Sequence, residues 1–151
     1  MRILVFFACL TSLLLTTGVP SAQPITECVA LGNARPICEF TNPEDIVALP
    51  GDQAILIGEY GASAEVSGRL VVFELESEQQ HTVYRGEQGT GTAEAGWGDP
   101  SCTEPPGKAF NSHGIDLIRR DDGRLQLLVI QHGSREAVEL FEVIGSGTEW
   151  Q

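Results

Sequence analysis

The tetrapeptide Arg120-Asp121-Asp122-Gly123 stands between two apolar runs, one carrying Ile115, Leu117 and Ile118, the other Leu125 to Gln131. An Asp-Gly pair between apolar segments is the strongest short-range signal for a β-hairpin, so this stretch is expected to form two antiparallel strands. The first strand would open at His113 and the second would close at His132. A hairpin sets the start of its first strand beside the end of its second, so histidines 19 positions apart in sequence become neighbours in space. Two imidazoles side by side can move a proton near neutral pH, one accepting it and the other holding or relaying it. Histidines at strand ends are also ordinary loop-edge residues satisfied by backbone or water, and the pattern alone leaves both readings open.

The chain on either side of the hairpin carries the same kind of punctuation. Strands are expected at Ile46 to Leu49, Ala54 to Ile57, Arg69 to Leu75, His81 to Tyr84 (an edge strand) and Ala137 to Ile144. Asn42-Pro43 would also suit a helix start, but Pro50-Gly51 stops a helix after one turn. A loop is expected over residues 58–68, a turn at 50–53, a loop from Gly133 to Glu136, and a ragged end from Gly145 to Gln151. Residues 86–109 form a long excursion rich in Gly, Glu and Pro with Trp97 and Cys102; it either covers one mouth of the fold or is mobile. Two halves repeat: Glu44-Asp45-Ile46 matches His113-Gly114-Ile115 at an offset of 69, and Phe73-Glu74-Leu75 matches Phe141-Glu142-Val143 at 68. Each unit runs strand, turn, strand, loop, strand, the meander of a propeller blade, and the expected fold class is all-β. On that assumption the first strand of each blade begins at a central channel, and Glu44 and His113 point into one cavity.

Met1-Arg2, the apolar run Ile3 to Leu15 and the small residues up to Ala22 fit a secretory signal peptide over 1–22, cleaved after Ser21 or Ala22, with a retained anchor as the alternative. Residues 23–43 are an irregular lead-in and 44–151 the blades. The protein is therefore expected to be secreted or periplasmic. Its net charge of −12, about −13 without Arg2, argues against nucleic acid and anionic membrane surfaces as partners. Cys9 leaves with the leader. Cys28, Cys38 and Cys102 remain, so at most one internal disulfide forms and one thiol is left over. His81 has no partner by spacing and is expected at the surface. Glu74, Glu76 and Glu78 alternate on one side of a strand end, as a solvated face does. No nucleophile elbow, zinc signature, phosphate loop or glycosylation sequon occurs.

Four segments carry a resemblance: Phe110-Asn111-Ser112-His113-Gly114-Ile115, Leu127-Leu128-Val129-Ile130-Gln131-His132, Ala137-Val138-Glu139-Leu140-Phe141-Glu142-Val143, and Glu44-Asp45-Ile46-Val47-Ala48-Leu49-Pro50. Over roughly residues 38–143, their order and spacing resemble the paraoxonase (arylesterase) family of calcium-dependent lactonases. That family lies within the gluconolactonase-like six-bladed propellers. The resemblance implies that His113 and His132 are the catalytic pair activating water, with His113 nearer the substrate. It implies that Glu44 is a ligand of the catalytic calcium, and that Asp45 and the backbone carbonyl of Ile115 are ligands of a second, structural calcium. It implies a small lactone or ester as substrate. In the family an N-terminal cysteine is tied to one near the far C-terminus, which this chain lacks.

The resemblance also implies more chain than is present. At roughly 40–45 residues per blade, six blades need well over 200 residues, so the expectation is the N-terminal part of a longer protein or a truncated reading frame. Unpaired strand edges would then invite self-association. Two functions follow as expectations: a calcium-dependent lactone or aryl ester hydrolase of which this chain carries part of the site, or a non-catalytic propeller-derived binding module or inactive remnant.

Overall fold

A computed structural model describes residues 28–63, 66–86, 95–147 and 149–151. The expected signal peptide and part of the 86–109 excursion lie outside the described residues. The chain divides into two compact units, Met1–Cys38 and Glu39–Gln151. In the first, Cys28 and Cys38 form a disulfide that spans a small turn closed by a Leu31–Ala34 bridge. This settles the pairing that spacing left open, and among the described residues Cys102 is the free, exposed thiol.

The second unit is all-β, with no helix among the described residues. Strands β1 (Pro43–Ala48), β2 (Ala54–Glu59), β3 (Arg69–Glu74) and β4 (Gln80–Arg85) form one antiparallel meander in sequence order, and β5 (Ser112–Arg119), β6 (Leu125–Gln131) and β7 (Ala137–Val143) form a second. The strands follow the apolar runs because aliphatic and β-branched side chains pack well on a pleated surface. The Asp-Gly hairpin is present: Arg120 N–H donates to Arg124 O at 2.9 Å and Gly123 N–H donates to Arg120 O at 2.9 Å. Gly123 has φ of 87°, the left-handed conformation that closes this turn and that glycine adopts without a steric cost.

Alternation puts one face of each sheet into a shared core. Leu56, Leu70, Val72 and Tyr84 of the first sheet meet Ile115, Leu127, Val129 and Val143 of the second, with Phe110 fully buried among them. Tyr84, Phe110 and Phe141 pack edge to face, with centroids 4.7 to 6.1 Å apart. On its far face the first sheet buries Ile57, Val71 and Phe73 under Phe40. The second sheet leaves Ile118, Ile130 and Val138 exposed on its far face.

Three expectations need correcting. The segment from Gly145 is not all ragged, because β8 (Gly145–Ser146) pairs with β9 (Glu149–Trp150), anchored by the half-buried Trp150. His81 is exposed but not partnerless: its Nε2 lies 2.8 Å from Glu74 Oε1. Val72 pairs with His81, so Glu74 sits diagonally across the ladder, within reach of a long side chain. Glu74 is the last residue of β3 and Glu76 and Glu78 lie in the following turn, so the three acids do not form one strand face.

Candidate functional site

The strand ends do bring the two histidines together. The imidazoles of His113 and His132 lie 5.4 Å apart between centroids, at an interplanar angle of 67°. A carboxylate stands on each side of the pair. Glu44 Oε2 is 3.6 Å from His113 Nε2, and Glu136 Oε2 is 2.6 Å from His132 Nδ1. Four side chains from β1, β5, the end of β6 and the loop after it thus form a row: Glu44, His113, His132, Glu136.

Backbone irregularities aim two of the four. The β1–β2 register shifts between Pro43 and Asp45, and the β5–β6 register shifts between Ser112 and Ile115. Glu44 and His113, the residues equated by the repeat, both sit in these irregularities. A bulge turns a side chain off the regular alternation, which is why bulges recur beside functional sites. The two first strands are tied directly, since Ile115 N–H donates to Asp45 Oδ2 at 2.9 Å, and Ile46 N–H, within β1, donates to Asp45 Oδ1 at 2.8 Å and orients that carboxylate.

His132 is fixed by its backbone. Its N–H donates to Asn111 O at 3.1 Å, and Ser134 N–H donates to Ala109 O at 2.7 Å, so the hairpin ladder continues past both histidines. A Cβ on Gly133 would come within 1.8 Å of Ala109 O, so only glycine permits this close approach. Asn111, fully buried, donates through Nδ2 to Tyr60 O at 2.6 Å and Ser63 O at 3.0 Å, pinning the 60–63 loop to the start of β5. Behind Glu136, Arg135 donates to both carboxylate oxygens of the buried Glu139 at 2.6 Å, which holds the 133–136 loop.

These anchors were not found by sequence reasoning. Asn111 lies inside a quoted segment, but nothing in the pattern marked it as a loop clamp. Glu136 is four residues after His132, a spacing that has meaning on a helix and none in an irregular loop.

The chemistry open to the row is proton transfer. With Glu136 ionised, His132 Nδ1–H donates to it, which fixes the tautomer and leaves Nε2 as the basic nitrogen. The 3.6 Å between His113 and Glu44 exceeds hydrogen-bond length, and among the described residues no direct hydrogen bond fixes the His113 tautomer. The row is open to solvent: side-chain exposure is 57% for His113, 38% for His132 and 78% for Glu136. Two cavities, near Arg124 and Trp150, are lined by none of these four residues. Glu44 and His113, expected to share a cavity, do lie side by side, on an edge that solvent reaches. Trp97 covers the hairpin turn, with Arg120 and Arg124 stacked 4.7 and 4.9 Å from its centroid.

Calcium takes six to eight oxygen ligands. Both oxygens of Asp45 also accept backbone N–H groups, and neither Glu44 alone nor Asp45 with the Ile115 carbonyl supplies enough oxygens to close such a shell. Among the described residues no group of three or more His, Cys, Asp or Glu side chains is arranged to hold a metal. No family model matches the chain, and comparison with curated proteins and with solved structures finds no match.

Proposed function

We propose that the His113–His132 edge activates water in a hydrolase of lactones or aryl esters, on a chain whose two stacked meanders are blades of a β-propeller. The observation that carries this reading is the pair of imidazoles in ring contact, flanked by Glu44 and Glu136. In the reaction, His113 takes a proton from water as the water attacks the ester carbonyl; the tetrahedral intermediate then breaks its C–O bond to the alcohol, and the departing alkoxide takes up the proton the histidines have held. His132, held in one tautomer by Glu136, accepts or relays that proton, and the carboxylate stabilises the imidazolium formed. Of the two calcium ions implied by the resemblance, the catalytic one would draw on Glu44 and the structural one on Asp45 and the Ile115 carbonyl, each with further oxygens. The Cys28–Cys38 disulfide supports an oxidising compartment and hence a secreted or periplasmic protein.

The test is hydrolysis of a small lactone and of phenyl acetate, with and without a calcium chelator. His113→Gln should lower kcat/KM by about 10²–10⁴-fold. Turnover unchanged in both His113→Gln and His132→Gln would overturn the reading; loss in the variants without chelator sensitivity would keep the base and remove the ion.

The exposure of the row favours a second reading, a non-catalytic binding module, because catalytic groups usually sit in a cleft that excludes water. On that reading neither this chain nor any longer protein that contains it turns over these esters.

A further inference from the structure

Between the two sheets, away from the histidines, lies a cavity of about 140 Å³. Its buried walls include Leu56, Val72 and Leu127, its half-buried lining is Val83, Phe141 and Trp150, and the exposed Glu142 and Gln151 stand at its mouth. The half-buried residues mark the side on which it approaches solvent. Cavities of roughly 150 Å³ lined by aliphatic and aromatic side chains stay dry and take up a single benzene ring. Tyr84 and Phe141, both on the wall, already stand edge to face at 4.7 Å, and a third ring between them and Trp150 extends that arrangement. The polar edge of Trp150 is satisfied, its Nε1–H donating to Gly147 O at 2.6 Å. Its ring carbons are therefore free to form an apolar wall. Trp150 is carried by strands of two residues each, closed by Ile144 N–H to Gln151 O and Gln151 N–H to Ile144 O, both 2.9 Å. An element with so few ladder bonds opens locally at low cost and gives a route in.

We infer that this inter-sheet cavity is a binding site for a compact apolar molecule the size of one aromatic ring, gated by the β8–β9 hairpin through Trp150. The site is separate from the histidine row and does not depend on hydrolysis.

The probe is benzene, and the reporter is Trp150 fluorescence in the full chain carrying Trp97→Phe, which leaves one tryptophan. A change that saturates below the solubility limit of benzene is expected, together with a raised thermal midpoint, because a ligand that binds only the folded state stabilises it. Val83→Phe in the same background fills the cavity from its rim, and should abolish both responses while folding at least as stably. Val72→Ile, which adds one methylene from the buried wall, should weaken binding and gives the comparison if Val83→Phe does not fold. A response that is linear in benzene, or the same in the filled variants as in the parent, overturns the inference.

Discussion

The two ends of the β5–β6 hairpin are held by opposite means. At the histidine end the side chains are exposed, but the backbone beneath them is locked by groups that are fully buried, Phe110 and Asn111. At the turn end the backbone is a standard hairpin turn, and what is added is a stack of partly exposed side chains, Trp97 with Arg120 and Arg124. Cation–π contacts at exposed sites contribute about 0.5–1 kcal/mol each, whereas buried aromatic packing contributes several times that. The hairpin therefore fixes its reactive end from below through the core and decorates its other end from above. That is the arrangement a site needs when its side chains must meet solvent or substrate and still keep their geometry.

The comparison is tested most strongly at Phe110. Replacing it with Ala removes a ring that is 0% exposed and packs on Tyr84 and Phe141, so Phe110→Ala should cost about 3–5 kcal/mol in urea denaturation. It should also separate the His113 and His132 rings, seen as loss of their mutual nuclear Overhauser contact. A loss under about 1 kcal/mol would mean the histidine end is not anchored in the core. Tyr84 gives the next effect. Burial chiefly, and the Glu139 carboxylate next, push its phenol up to about 12, against a weaker opposing pull from Arg135. A folded-state value raised above the ordinary value near 10 contributes stability that is complete below about pH 10 and is lost as pH rises through the folded value. Between about pH 9 and 12 the parent should lose about 2 kcal/mol more than Tyr84→Phe. At neutral pH the variant should be at least as stable, because the buried hydroxyl has no partner to lose. Equal losses in the two proteins would place the phenol in water.

Much of this was legible in the residues, and the parts that were not have physical reasons. Asp122-Gly123 between apolar runs set the hairpin and brought His113 and His132 to the same end of it, but the regular register would pair His113 with Gln131, and the shift between Ser112 and Ile115 completes the approach. The offset of 69 equated Glu44 with His113, and both prove to sit in register irregularities of first strands. What could not be read depends on long-range geometry rather than on local pattern. Asn111 clamps carbonyls some fifty residues away, and Glu136 reaches His132 from an irregular loop. The β8–β9 pair has two residues per strand, too short to show alternation. The diagonal Glu74–His81 contact needs the β3–β4 register, which includes a bulge between Leu70 and Val71.

The smallest effect belongs to Trp97, and it separates the two ends most cleanly. Trp97→Ala removes two guanidinium stacks, so the chain should lose about 1 kcal/mol, read as a small drop in the denaturation midpoint. Arg120 keeps its hydrogen bond to Gln126 Oε1 at 3.1 Å and Arg124 its ion pair with Asp122 at 2.9 Å, so the turn stays closed. The imidazole resonances of His113 and His132 should therefore keep their chemical shifts and their mutual contact in Trp97→Ala, in contrast to Phe110→Ala. If instead those resonances move, the stack over the turn transmits to the far end through β5 and β6. The histidine row would then be positioned by the whole hairpin rather than by the core beneath it.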